Sequence, residues 1–167
     1  PEVPEKTLLN SYANLTYTKG SFTAGIRYEA YMNTLMGYDA RYNGNGIPYR
    51  FLSYNNEGLE VTAGSFYEQF GNGLILRAYE EKGLGYDNAF DGIRVKYQLY
   101  KGVSVKALVG KQRLFFDKGQ GIVRGIDGEI NVNELITKLN EAKAQIIIGG
   151  SFVSKYQADR DPVYKLP

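Results

Sequence analysis

The stretch FDGIRVKYQLYKGVSVKALVGKQR, Phe90 to Arg113, sorts into two chemical classes when its residues are counted in twos. One set reads Ile93, Val95, Tyr97, Leu99, then Val103, Val105, Ala107, Val109; the other reads Gly92, Arg94, Lys96, Gln98, then Ser104, Lys106, Gly110, Gln112. Side chains of a strand alternate between the faces of a sheet, so this is a hairpin of two strands turning at Tyr100-Lys101-Gly102. One face is apolar and the other is polar and charged. The fold follows from what each face meets: a protein core and water, or lipid and an aqueous interior.

The same count extends in both directions. Towards the N-terminus, LLNSYANLTYT and FTAGIRYEAYM flank Lys19-Gly20-Ser21, and IPYRFLSYN and LEVTAGSFYE flank Asn56-Glu57-Gly58. Towards the C-terminus a lone strand, QIIIGGSFVSKY, makes about seven. Glycine in each short connection supplies the positive φ that tight hairpins need. The intervening connections are long: NTLMGYDARYNGNG, QFGNGLILRAYEEKGLGYDN, and Phe115 to Ala144. Alternating segments of about 10 residues with short turns at one end and long loops at the other are the pattern of an outer-membrane barrel.

Composition narrows the function classes. The chain has 167 residues, one domain's worth. Its net charge is +2 with 23% charged residues, which gives no electrostatic reason to expect nucleic acid. There is no cysteine and no histidine, so thiolate chemistry and the commonest general base and metal ligand are absent. The 15 tyrosines and 20 glycines favour β structure over helix. No apolar run is long enough for a transmembrane helix. The opening PEVPEKTLLN lacks the basic and apolar segments of a signal peptide, so the chain is expected to be cytosolic or the processed interior of something longer.

A soluble β-sandwich binding module alternates in the same way. Three features favour a barrel. The strands exceed the globular mode of about 5 to 6 residues. Tyr17, Tyr49 and Tyr67 are read on the apolar face near segment ends, where an aromatic girdle belongs. Gly25, Gly64, Gly92, Gly110 and Gly149 fall mid-strand on the polar face, leaving room for Arg27, Glu29, Glu60, Arg94, Lys96 and Lys106 to cross the interior.

The pieces SFYEQFGNGLILRAYEE, LGYDNAFDGIRVKY and GIVRGIDGE resemble a family of uncharacterised outer-membrane β-barrel proteins of the Bacteroidota, the likeness running from about Leu15 to Glu134. The resemblance implies an outer-membrane location in a Gram-negative bacterium and a larger single-chain barrel, with no activity to carry over. Some relatives occur beside secretion or envelope-assembly machinery. The chain is short for that family, and closed barrels have an even strand number from 8 upwards. Residues 1–167 therefore read as a single segment of a longer, antiparallel up-and-down transmembrane barrel, ending in DRDPVYKLP rather than in a strand.

Few constellations point to chemistry. The stretch DGEINVNELI matches the back half of a calcium loop through Asp127 and Glu134, but Val123 and Gly125 occupy the positions that should carry carboxylates. The simpler reading is an Asp-Gly turn into a short helix capped by Asn131 or Asn133, with Leu135, Ile136 and Leu139 on one side. The glycine clusters lack phosphate-loop spacing. Arg77, Tyr79, Glu80, Glu81, Tyr86 and Asp87 crowd one long loop and are the candidates for partner binding or for closing the interior. Glu80 and Glu81 are adjacent on an extended chain and point opposite ways, which disfavours a hydrolase. The polar-face set of Arg27, Glu29, Glu60, Glu68, Arg94, Lys96, Lys106 and Lys111 mixes signs, unlike a charge-selective ring.

The expectation is thus a non-enzymatic outer-membrane barrel without a cofactor, a structural or partner-binding subunit of an envelope complex. Its partners would be the lipid bilayer and other envelope proteins. A porin-like solute channel and a soluble β-sandwich are the alternatives.

Overall fold

The computed structural model describes residues 7–139 and 141–158. The strands are β1 (Leu9–Lys19), β2 (Phe22–Met32), β3 (Gly44–Asn56), β4 (Leu59–Phe66), β5 (Glu80–Glu81), β6 (Tyr86–Asp87), β7 (Phe90–Tyr100), β8 (Val103–Leu114), β9 (Asp117–Lys118), β10 (Ile122–Asn131) and β11 (Ile147–Tyr156). A helix α1, Val132–Leu135, and short 3-10 turns complete the elements. The fold is all-β: one nine-stranded antiparallel sheet in the order β1-β2-β3-β4-β7-β8-β10-β11, with β9 paired to β8, and a separate β5-β6 ribbon. Among the described residues β1 pairs only with β2 and β11 only with β10, so the sheet has two free edges and is not closed into a barrel.

Four expectations change here. The region from Phe115 to Ala144 is not one loop: it holds β10, paired on both sides over its length. Asp127 and Gly128 lie within that strand rather than in a turn, so no calcium loop forms around them. The second half of the region, residues 132–146, lies at the short-turn end of the sheet, where Asn131 N–H donates to the Gly102 carbonyl (2.7 Å). Long and short connections therefore do not alternate strictly. The helix is four residues long, with Leu135 and Ile136 exposed, and has no packed apolar side. The terminal DRDPVYKLP lies outside the described residues apart from its neighbours at 157–158.

Register decides the faces. One cross-strand row runs Phe22, Tyr54, Val61, Val95, Ala107, Ile126, Phe152 from β2 to β11. The next row, on the other face, runs Thr23, Ser53, Thr62, Arg94, Leu108, Gly125, Val153. The apolar row is the exposed one, with Phe22, Ile126 and Phe152 at 53%, 52% and 65% exposure against 3% for Thr62. Burial is inverted relative to a soluble sheet: Glu29, Glu68, Arg113 and Asp127 are buried, while Leu15, Ile26, Leu52, Ile93 and Ile148 are not.

A third row explains the curvature. Gly25, Phe51, Gly64, Gly92 and Gly110 are consecutive register partners across five strands. A Cβ on Gly92 would stand 2.0 Å from the Val109 carbonyl oxygen, and one on Gly64, whose φ is +101°, 2.3 Å from that of Arg50. Only glycine permits such close backbone approach, and a line of it creases the sheet. The space above Gly25 goes to the Phe51 ring and that above Gly125 to Phe70. The glycines thus serve curvature and ring packing rather than the crossing of long charged side chains. The curl is strong enough for β2 and β8, not neighbours in the sheet, to join through Glu29 and Arg113.

Candidate functional site

The concave face is filled by the connection between β4 and β7, residues 67–89, here called the strap. Its first half folds on itself: Phe70 N–H donates to the Leu76 carbonyl (3.1 Å), Ala78 N–H to that of Glu68 (2.8 Å), and Gly73 N–H to that of Phe70 (2.8 Å). Its second half is the β5-β6 ribbon, turned by Gly85 in the left-handed region (φ 62°) and fastened by Asn88, whose side chain accepts from Tyr79 N–H (2.7 Å) and donates to the Arg77 carbonyl (3.2 Å). Phe70, Leu76 and Ala78 of the strap pack with Phe66, Phe90, Leu108 and Val123 of the sheet as the hydrophobic core. Leu74 and Ile75, which precede Leu76, stay exposed.

Strap carboxylates meet sheet cations in two networks. At the long-loop end, Arg113 grips Glu29 with both Nη atoms (2.5 and 3.0 Å) and reaches Asp87 (2.6 Å). Arg27 pairs with Glu80 (2.7 Å) and lies 3.6 Å from Glu29. Tyr31 donates to Glu29 (3.2 Å) and shares a hydroxyl bond with Tyr12 (2.9 Å). Deeper in, Glu68 is the hub: Arg94 (3.3 Å), Lys96 (3.0 Å) and Lys106 (3.5 Å) all converge on it. Arg94 also pairs with Glu60, and Lys106 with Asp127 (3.7 Å), which accepts from the Ser151 hydroxyl (2.6 Å).

Charge-assisted, bidentate pairs of this kind are the strong ones, and losing one partner of a buried pair is costly. Glu29, Glu80 and Asp87 bring carboxylate oxygens within 4.8 Å of one another, the one such group among the described residues. Arg27 and Arg113 already occupy the positions a cation would take, so the chemistry is that of an ion-pair lock rather than a metal centre. Asp127 and Glu134 are not brought together: the first faces Lys106 and Ser151, while the second accepts from the Asn131 side chain (2.9 Å).

Above the first network, aromatic rings close the long-loop end. Tyr31 touches Tyr42 (5.1 Å between centroids), Tyr38 (5.9 Å) and Phe116 (5.8 Å), and Tyr42 meets Phe115 edge-on (4.8 Å). Burial raises the Tyr42 hydroxyl above its ordinary range.

The six loop candidates divide by direction. Glu80 and Asp87 turn inward to Arg27 and Arg113. Glu81 turns the other way and caps the Gly83 N–H (3.1 Å). Arg77, Tyr79 and Tyr86 form a ladder, with Arg77 4.6 Å over the Tyr79 ring and the two tyrosines 5.0 Å apart. Among the described residues Arg77 forms no ion pair and stacks instead.

Of the polar-face set, Arg27, Glu29, Glu60, Glu68, Arg94, Lys96 and Lys106 all join the two networks. Lys111 does not: it pairs in register with Asp91 on the outer side. Tyr49 and Tyr67 are not girdle residues either. They stack on each other inside (5.4 Å), with Arg27 over Tyr49 (5.1 Å): Tyr49 has the inward parity of Phe51, and Tyr67 is the first residue past β4, where the chain turns into the strap.

A family model of unknown function matches nearly the whole chain, residues 2–166. The chain belongs to that family, DUF6029. No curated protein and no solved structure matches it. The family brings no activity with it, so the two faces of the sheet carry the functional argument.

Two residues central to the site escaped the sequence reading. Arg113 has the parity of Val109 and Lys111, the outer side, but β8 runs past the start of β7 and turns with β9, which brings Arg113 to Glu29. Phe70 stands among glycines and polar residues that carry no strand period. An aromatic in a long polar loop, two residues after the acidic Glu68, was the available signal.

Proposed function

We propose that the chain is a non-enzymatic segment of an outer-membrane β-barrel, its outer face in lipid and its interior closed by the strap, acting as a structural or partner-binding subunit of an envelope complex. The observation that carries this reading is the inverted burial: apolar side chains form the convex, exposed face, and ion pairs fill the concave one. In water the exposed face would be an unusually large apolar patch; in a bilayer it is the required one.

Two further features support it. From Ile93 to Leu99, at about 3.3 Å per residue, the apolar outer stretch of β7 covers roughly 20 Å, near the outer band of about 25 Å in such barrels. Most outward charges lie beyond its ends, with Arg50, Asp91, Lys111 and Lys118 on the long-loop side and Lys19 and Lys101 at the turns, while Arg124 stands outward in the row of Ile93 and Val109 at the margin of the stretch. The free edges of β1 and β11 cannot face hydrocarbon unpaired, so the reading requires that they pair in the membrane, with each other or with further strands of a larger barrel. The resemblance to Bacteroidota outer-membrane barrels agrees with this. A solute channel is the weaker reading, because Glu68, Phe70, Glu80 and Asp87 occupy the interior.

Vesicle insertion tests the proposal. Arginine on the lipid face of a barrel costs about 2 to 4 kcal/mol at the midplane, so Val95→Arg should abolish heat-modifiable, protease-protected assembly into vesicles while Lys96→Ala leaves most of it. A monomeric, cooperatively folded protein in detergent-free buffer would overturn the reading.

A further inference from the structure

The crease that curls the sheet also leaves a groove on its outer face. It spans β1 to β4, holds about 460 Å³, and is walled by Leu15, Tyr17, Ala24, Ile26 and Ala63, with Arg50 at its long-loop end. Its depth comes from small residues in register: Ala24 and Ala63 both partner Leu52, and Gly25 and Gly64 both partner Phe51. A larger side chain at Ala63 would fill it.

Charge is uneven at the Arg50 end. Arg50 lies 3.6 Å from Asp91, but the same carboxylate is held closer by Lys118 (2.5 Å), and Lys111 stands opposite Asp91 in register. Asp117 is the other carboxylate nearby, and it accepts from the Lys118 backbone N–H (2.8 Å). Three cations thus face two carboxylates. An apolar groove in the outer wall with a cation at its edge matches an amphiphile with an anionic head and an acyl tail.

We infer that this groove holds one acyl chain of a phosphate-bearing anionic membrane lipid, its headgroup against Arg50. The inference rests on the membrane reading and adds a lipid selectivity that a uniformly greasy outer face would not have.

Native mass spectrometry of the protein, extracted in detergent from mixed phosphatidylglycerol and phosphatidylcholine vesicles, provides the test. The expected result is retained phosphatidylglycerol in excess of its vesicle fraction. Arg50→Gln should cut that excess about five-fold, the equivalent of one basic side chain at a lipid surface, and Arg50→Lys should preserve it. Ala63→Phe should lower retention of both lipids. Insertion is scored in the same vesicles: failure of the wild type to insert breaks the membrane reading itself. Insertion with no excess of phosphatidylglycerol, equal retention of oleate, or Ala63→Phe altering the oligomeric state rather than lipid retention, would each overturn the groove inference alone.

Discussion

Two long connections leave the sheet at opposite ends, and they are built on opposite principles. The strap, residues 67–89, is fastened to strands far from it in sequence, through Glu68 to Arg94, Lys96 and Lys106, through Glu80 to Arg27 and through Asp87 to Arg113, and it buries Phe70. The turn-end connection, residues 132–146, is organised around a single amide. Asn133 donates to the carbonyls of Leu139 (2.8 Å) and Ala144 (2.9 Å) and accepts from Ile146 N–H (2.8 Å), while Leu135, Ile136 and Ile146 remain exposed. One connection is part of the core and the other is an appendage. The difference lies in acidic residues spaced to meet cations on the concave face, together with one deeply buried ring.

The strongest way to break this contrast is Arg113→Met. Glu29 is fully buried and would lose its bidentate partner, and Asp87 would lose its anchor. Removing one member of a buried pair costs about 3 to 5 kcal/mol, so urea unfolding in detergent should show a loss of that size. The strap should become protease-sensitive at the same time. A loss under about 1 kcal/mol would mean that the strap is held by apolar packing alone.

Asn133→Ala sharpens the contrast from the other side. Three hydrogen bonds disappear, and leaving buried amide partners unsatisfied costs about 1 to 3 kcal/mol. The effect should stay local: faster hydrogen exchange across residues 132–146, with strap protection unchanged. Glu134→Gln, at an exposed position, should fall within about 0.5 kcal/mol of wild type. Loss of strap protection in Asn133→Ala would show that the two connections are coupled.

The smallest effect concerns the connection that closes over the strap from the β2-β3 side. Hydrogen bonds from the Arg41 side chain and then from its backbone N–H lower the Asp39 carboxyl to about 2. A depressed carboxylate stabilises the fold above its unfolded range and loses that contribution as pH falls through the folded value. The Asp39–Arg41 turn should therefore persist at pH 4 and open near pH 2. An NMR titration checks it, and Arg41→Gln should return Asp39 to the ordinary aspartate range.

Legibility in the sequence followed the strand period. The hairpin and its two faces read directly from Gly92 to Gly110, because strict alternation leaves one assignment for each side chain, and the reading fails only past them at Lys111 and Arg113. Strand β10 was hidden, since Gly125, Asp127 and Gly128 signal turns in isolation. In the fold Gly125 makes way for Phe70, and Asp127 is satisfied by Ser151 and Lys106. The charged members of the site were visible as a mixed-sign set, but their pairing was not. It depends on how the strap docks and how tightly the glycine row curls the sheet, both long-range properties that a period of two does not encode. Tyr49 and Tyr67 were misplaced because tyrosine suits either a lipid interface or a polar interior; parity with Phe51 decides Tyr49, and the turn of the chain into the strap after Phe66 decides Tyr67.

The central claim, that the convex face meets lipid and the concave face does not, is best tested by spin labels in vesicles. The chain contains no cysteine, so single sites can be introduced cleanly. Labels at Val95, Ile126 and Ile148 should collide freely with oxygen and be shielded from a water-soluble nickel complex. Labels at Lys96 and Lys106, one residue away in parity, should be shielded from oxygen. Alternation of the two accessibilities with a period of two along β7 and β8 is the expected result; equal exposure of both parities to the nickel complex would contradict the account.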